Sequence, residues 1–165
     1  MVVPQFKTDY DFANVLLHFE GRMSRAAQGA VQDSLVKIGR RLMKRIRGRA
    51  GLTRWPQHNK GTQTPSLPGT PPARITGNLL DSVYVDEETY GNIGSSTNRF
   101  FVSVGADAPY AMQQEEGFYN SGWKRQIPAR PFLQPSFDYI VESGEIDKIL
   151  DEAFRGIEEV FKNGR

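Results

Sequence analysis

The chain has 165 residues, of which 38% are hydrophobic, enough for one ordinary domain with a buried core. It contains no cysteine, which excludes a disulfide scaffold, a thiolate metal site and a cysteine nucleophile. Its net charge is only +2, no apolar run approaches the roughly 20 residues that span a bilayer, and the N-terminus lacks a signal-peptide pattern. We therefore expect a soluble single domain over residues 1–165, with no membrane partner.

The charges are unevenly distributed along the chain. Residues 22–54 carry ten Lys or Arg against one acid, whereas residues 138–159 carry eight acids against two bases. This asymmetry indicates either nucleic acid near the basic part or a basic surface that meets an acidic one, and a solvated helix face remains the simplest alternative. The candidate DNA-proximal residues are Arg40, Arg41, Lys44, Arg45 and Arg47. A nucleic-acid-binding module that uses the basic 37–54 segment is the alternative function.

The first third of the chain predicts a long helix. Val2 to Tyr10 is typical of an edge strand, and Asp11 is expected to cap a helical turn that carries Phe12, Val15, Leu16 and Phe19 on one face. From Ser24 the pattern becomes plainly helical and runs for about six turns to Gly48. Apolar residues recur there every three or four positions: Ala27, Val31, Leu35, Ile38, Leu42 and Ile46.

Residues 49–75 predict a long extended loop, because they are rich in Gly and Pro and show almost no apolar periodicity. Thr76-Gly77-Asn78 then starts a short helix. Alternation predicts a strand over Val83 to Tyr90, a turn over Gly91 to Ser96, and a return strand over Arg99 to Gly105.

The last third begins with a short helix, Tyr110 to Glu116, which Pro109 opens and Gly117 ends. Three prolines predict that Ile127 to Phe137 is extended with bends. A final amphipathic helix is expected after Ser143. The predicted fold class is α+β: a small, mostly antiparallel sheet flanked by the long N-terminal helix and the C-terminal helix, with a long Pro/Gly-rich loop.

Convergent catalytic groups are hard to find in this sequence. The only histidines are His18, which lies in an amphipathic stretch, and His58, which lies in the polar loop with no carboxylate pattern nearby. The sequence holds no Gly-Lys-Ser/Thr phosphate loop and no dinucleotide fingerprint. A small hydrolase that uses Glu115 or Glu116 is a rival interpretation, but no motif supports it. We expect a protein that is not an enzyme and has no cofactor and no metal.

Three short clusters occur in order along the chain. The first reads Pro68-Gly69, Pro71-Pro72 and then Thr76-Gly77-Asn78-Leu79-Leu80-Asp81-Ser82. The second is Tyr110-Ala111 with Glu115-Glu116-Gly117, and the third runs from Ala129 through Arg130-Pro131-Phe132-Leu133 to Ser136. Together they resemble the gene-product-ten-like putative tail components of HK-type siphophages, also called tail-completion or neck proteins. Relatives often have Gly-Thr after the glutamate, whereas Gly117 here precedes Phe118-Tyr119-Asn120, so segment 118–126 is expected to make different contacts.

The resemblance implies a structural virion protein that forms a homo-oligomeric ring, commonly of six copies, at the head–tail junction. Such a ring surrounds the DNA channel and joins the tail tube or tail terminator to the head connector on the portal side. It is assembled in the host cytoplasm, and non-specific contact with genomic double-stranded DNA is expected. The candidate subunit or partner contacts are Trp55, Pro65, Pro68, Gly69, Pro71, Pro72, Tyr110, Glu115, Glu116, Trp123, Arg130 and Phe132.

Overall fold

A computed structural model describes residues 14–21, 25–48, 66–86 and 98–163. The expected edge strand over Val2 to Tyr10, the 49–65 part of the loop, and the 91–96 turn lie outside the described residues. The elements, in chain order, are β1 (Asn14–Gly21), α1 (Arg25–Arg47), α2 (Asn78–Asp81), β2 (Val83–Asp86), β3 (Asn98–Ala106), α3 (Ala111–Glu116), β4 (Phe118–Asn120), β5 (Arg125–Ile127), α4 (Gln134–Glu142) and α5 (Glu145–Asn163).

The main sheet has three antiparallel strands in the order β1-β3-β2. The central strand β3 pairs along β1 from Asn14↔Gly105 to Gly21↔Asn98, and along β2 from Val83↔Ala106 to Asp86↔Ser103. A separate two-stranded sheet joins β4 and β5. The predicted α+β class, with a small antiparallel sheet and long N- and C-terminal helices, is confirmed.

The expected helical turn near residue 15 is wrong, because Asn14–Gly21 is strand β1. The apolar residues of this stretch are spaced as on a helix, but they also satisfy a strand, and a short apolar run does not distinguish the two. The long-range main-chain pairing with β3 decides the conformation. His18 consequently lies in the middle of a strand, opposite Phe101.

Helix α1 matches its prediction and forms one wall of the core. It packs on the sheet with one side and on α4 and α5 with another. Gly39 makes the close approach to the sheet possible, since a Cβ atom there would lie 2.7 Å from Cγ1 of Val102. The buried apolar residues of α1 are Val31, Leu35, Ile38, Leu42 and Ile46, and those facing them include Val102, Val104, Phe132, Leu133, Ile140, Ile146 and Leu150.

The expectation of an extended chain over Ile127 to Phe137 is only partly correct. Helix α4 already begins at Gln134, with Pro135 in its first turn, where the missing N–H of proline would have no helical partner. Ser143 caps the C-terminus of α4 instead of starting the last helix. Gly144, whose φ is 67°, separates α4 from α5. No helix among the described residues is long and apolar enough to cross a membrane.

Candidate functional site

The Pro68-Gly69 pair forms a tight turn. The Thr70 N–H donates to the carbonyl oxygen of Leu67 at 3.1 Å, and Gly69 has a φ of 76°. Proline at the second position and a residue of positive φ at the third define a type II turn. The Thr70 hydroxyl donates to the same carbonyl at 2.7 Å, which closes the turn a second time.

Glu115 connects helix α3 to the start of helix α4. One carboxylate oxygen, Oε2, accepts from the N–H groups of Phe132 and Leu133 at 2.8 and 3.0 Å. The other, Oε1, accepts from the N–H of Gln134 at 2.9 Å. The first N–H groups of a helix have no partner within it, and the helix dipole favours a negative charge there. Glu115 therefore serves as a cap supplied from a distant segment, and both of its oxygens are engaged in that role.

Arg130 connects the same region to the Pro-Gly turn. Its Nε donates to the carbonyl oxygen of Ser66 at 2.9 Å, across 64 residues of sequence. Its main-chain N–H donates to the carbonyl of Gln114 at 2.6 Å, while the N–H of Gly69 donates to the carbonyl of Ala129 at 2.9 Å. One part of each sequence cluster thus meets the others in space, and we call residues 66–70, 114–117 and 128–134 the motif cluster.

Gly117 sits at the tightest point of the motif cluster. Its φ of 76° and ψ of 171° belong to a region that only glycine adopts readily. A Cβ atom at this position would lie 2.7 Å from the carbonyl oxygen of Ile127 and 2.8 Å from the nitrogen of Ala129. The glycine therefore lets two backbone segments meet where the chain leaves α3.

A short hairpin leaves the motif cluster directly after Gly117. Strands β4 and β5 pair from Phe118↔Ile127 to Asn120↔Arg125, and we call residues 118–127 the aromatic hairpin. Asn120 Oδ1 accepts from the N–H of Trp123 at 2.9 Å and stabilises the turn. Trp123 is 66% exposed and Tyr119 is 62% exposed. The Arg125 guanidinium lies 4.9 Å from the centroid of the Trp123 ring.

A groove of about 370 Å³ lies between the segment leading into α2 and helix α3, and we call it the α2–α3 groove. Tyr110 and Gln114 form its α3 side, and Ile75 is about half exposed on the opposite side. Gly77, with a φ of 95°, starts α2 within the groove, as the Thr-Gly-Asn pattern predicts. The other lining residues are Pro72, Ala73, Arg74, Thr76, Asn78, Leu79 and Leu80. The surface is mostly apolar and open to solvent.

The remaining predicted contact residues differ in their exposure to solvent. Pro72 is buried in the α2–α3 groove, Pro71 is half-buried and Glu116 is exposed. Phe132 is fully buried, so it belongs to the core and not to a contact surface. Trp55 and Pro65 lie outside the described residues.

The five candidate DNA-proximal residues separate into distinct environments. Arg47 Nη2 donates to the carbonyl oxygens of Val83 at 3.0 Å and Asp81 at 3.4 Å, which fixes the end of α2 to α1. Arg41, Lys44 and Arg45 line one groove near the C-terminus of α1. Arg40 lies exposed on the same helix.

Tyr139 and Glu145 also line this groove, and the sequence did not single them out. The prolines before residue 136 indicated an extended segment and thereby concealed α4, which carries Tyr139. Among the described residues, no group of three or more His, Cys, Asp or Glu could hold a metal ion.

Comparisons with protein-family models, with curated proteins and with solved structures find no match for this chain. Arguments about function therefore depend on the residues and contacts described above.

Proposed function

We propose that this chain is a non-catalytic structural protein of a bacteriophage virion, located at the head–tail junction. Copies of the chain form a ring around the DNA channel, six being the number that the resemblance implies, and the ring joins the tail to the head connector. One observation carries this proposal: parts of all three clusters that resemble tail components meet in a single hydrogen-bonded motif cluster, at the base of an exposed aromatic hairpin.

The aromatic hairpin is the best candidate for a subunit contact. A two-stranded hairpin of three-residue strands is at best marginally stable by itself, yet this one is braced at both ends, by Gly117 and by the segment that contains Arg130. Tyr and Trp are enriched at protein interfaces and among the few residues that dominate the binding energy there. A braced hairpin that exposes Tyr119 and Trp123 is suited to dock on another copy of the chain.

The α2–α3 groove is the proposed receiving surface on the neighbouring copy. Its lining is mostly apolar, and Ile75 and Tyr110 are open to solvent. Because the hairpin and the groove are different surfaces, the contact is head-to-tail, and such a contact forms a closed ring when its rotation closes. The ring needs no catalytic group, and the engaged carboxylate of Glu115 has a structural role in this account.

Two interface variants test the assembly mode. Trp123→Ala removes the exposed indole ring of the aromatic hairpin but leaves the α2–α3 groove intact. Ile75→Asp places a charge in the α2–α3 groove but leaves the aromatic hairpin intact. Each variant alone is expected to sediment as a monomer. A mixture of the two retains one intact pairing, of the Ile75→Asp hairpin with the Trp123→Ala groove, and should yield a heterodimer without larger species. Val141→Asp, a matched change at another exposed apolar residue, should leave the ring intact.

The position at the head–tail junction is tested in the phage itself. Deletion of the gene should give filled heads and separate tails, and Trp123→Ala should reproduce that phenotype. Infectious particles with firmly attached tails in the absence of the gene would overturn the proposal.

A further inference from the structure

A second groove, of about 390 Å³, opens between the C-terminal turns of α1 and the helices α4 and α5. Arg41, Lys44 and Arg45 line it together with Gly48, Tyr139, Ile140 and Glu145. We call it the basic groove. Three cations and one carboxylate give it a net positive charge of about two, which is suited to an anion.

Arg45 is held in place by an aromatic ring. Its guanidinium carbon lies 3.6 Å from the centroid of the Tyr139 ring, which is within cation–π distance. Stacking occupies the flat face of the guanidinium and leaves the N–H groups at its edge to donate. Because Arg45 is half-buried, its donors are already oriented before a ligand arrives.

Arg41 is only loosely paired on the other side of the groove. Its Nε lies 3.9 Å from Oε2 of Glu145, and its side chain is 58% exposed. Exposed pairs of this kind contribute little to stability. Arg41 can therefore turn toward an incoming anion at little cost, while Lys44 supplies a third cation one helical turn after Arg41.

The basic groove offers little to an acidic protein surface. Protein interfaces depend on a buried apolar centre, whereas Ile140 is already buried and Arg45 covers one face of Tyr139. The planar guanidinium group of arginine can donate two parallel hydrogen bonds to the oxygens of one phosphate. Two further exposed bases on α1, Lys37 and Arg40, extend the positively charged surface beyond the groove. A polyanion that contacts several helical turns needs such an extended surface.

We propose that the basic groove binds the phosphodiester backbone of a nucleic acid. Arg45, positioned by Tyr139, donates to the oxygens of one phosphate, and Arg41 and Lys44 neutralise the neighbouring phosphates. The contact carries no base specificity, because it uses the backbone alone. This inference goes beyond the proposed ring and does not depend on it, since one chain contains the entire groove.

The test is the binding of the purified full-length chain to a labelled DNA duplex of about 20 base pairs, measured by fluorescence anisotropy. With three phosphates neutralised, affinity should fall roughly 40-fold between about 50 and 200 mM salt. Lys44→Gln should lower the slope of log affinity against log salt by about 1. Arg155→Gln, a matched loss of an exposed cation on α5, should change neither quantity.

Variants of Tyr139 distinguish binding at the basic groove from non-specific attraction to positive charge. Tyr139→Ala should weaken duplex binding about two- to fivefold without any change in net charge, and Tyr139→Phe should retain full affinity. The proposal is overturned if the duplex does not bind at low salt, or if Tyr139→Ala and Lys44→Gln bind as tightly as the wild type. It is also overturned if inorganic phosphate binds but the duplex does not, or if Lys44→Gln disrupts self-association without DNA, which would assign the groove to a second copy.

Discussion

The carboxylate of Glu115 accepts a hydrogen bond from the main-chain N–H of Phe132 at 2.8 Å, which ties helix α3 to the start of helix α4. The two residues are 17 positions apart, and the aromatic hairpin occupies most of the interval. This bond and its two companions from Leu133 and Gln134 set the distance between the ends of the hairpin segment. The position of the aromatic hairpin, which is the proposed contact surface, therefore depends on the hydrogen bonds that Glu115 accepts at the start of α4.

Glu115→Gln should lower the free energy of unfolding by about 2 kcal/mol, because hydrogen bonds to a charged acceptor are replaced by weaker ones and one oxygen acceptor is lost. Urea denaturation measures the effect. The matched control is Glu116→Gln, at an exposed neighbour, which should change stability by less than about 0.5 kcal/mol. Equal stability of the two variants would show that the cap contributes nothing.

Gly117→Ala should destabilise the protein by about 2 kcal/mol or more, because alanine is strained at this φ and ψ and its Cβ would meet the backbone of the opposite segment. Thermal unfolding should show the loss, and hydrogen exchange should speed up across residues 118–127. Gly122→Ala, within the same hairpin, would place its Cβ 3.4 Å from Asn120 Oδ1 and should be tolerated far better. Similar losses at the two positions would contradict the predicted role of Gly117.

Two glycines of helix α1 provide a test of the packing on the sheet. Gly39→Ala should lower the free energy of unfolding by about 1–3 kcal/mol, because the added methyl group would lie only 2.7 Å from Cγ1 of Val102. Gly29→Ala makes the same change in the same helix, where nothing lies within 4 Å, and should stabilise the protein by about 0.5–1 kcal/mol. Chemical denaturation compares them directly, and opposite signs are expected. A gain at both positions would mean that α1 does not approach the sheet as described.

The fold was predictable where the local pattern is long and unambiguous. Helix α1 has six apolar positions at helical spacing, and its limits follow from Ser24 and Gly48. Before it, the spacing of Phe12, Val15, Leu16 and Phe19 predicts a helix. Residues 14–21 instead form a strand, because they pair with β3, whose partner residues lie 77 to 91 positions further along the chain. Local periodicity contains no information about such a pairing.

The candidate site was predictable in its members but not in its contacts. The motifs singled out Glu115 and Arg130, yet their partners are main-chain groups at Phe132 and Ser66, which no side-chain pattern identifies. The stacking of Arg45 on Tyr139 was missed for a related reason. Three prolines indicated an extended chain, although Pro135 at the first turn of α4 favours a helix start.

The central claim is that copies of this chain assemble through the aromatic hairpin. Sedimentation velocity of the full-length chain, alone and mixed with a tail-tube protein from the proposed phage, measures this most directly. The account predicts a discrete closed species, with six chains as the expected number, that Trp123→Ala reduces to a folded monomer. A wild-type chain that stays monomeric at every concentration, and binds neither tail nor connector protein, would contradict it.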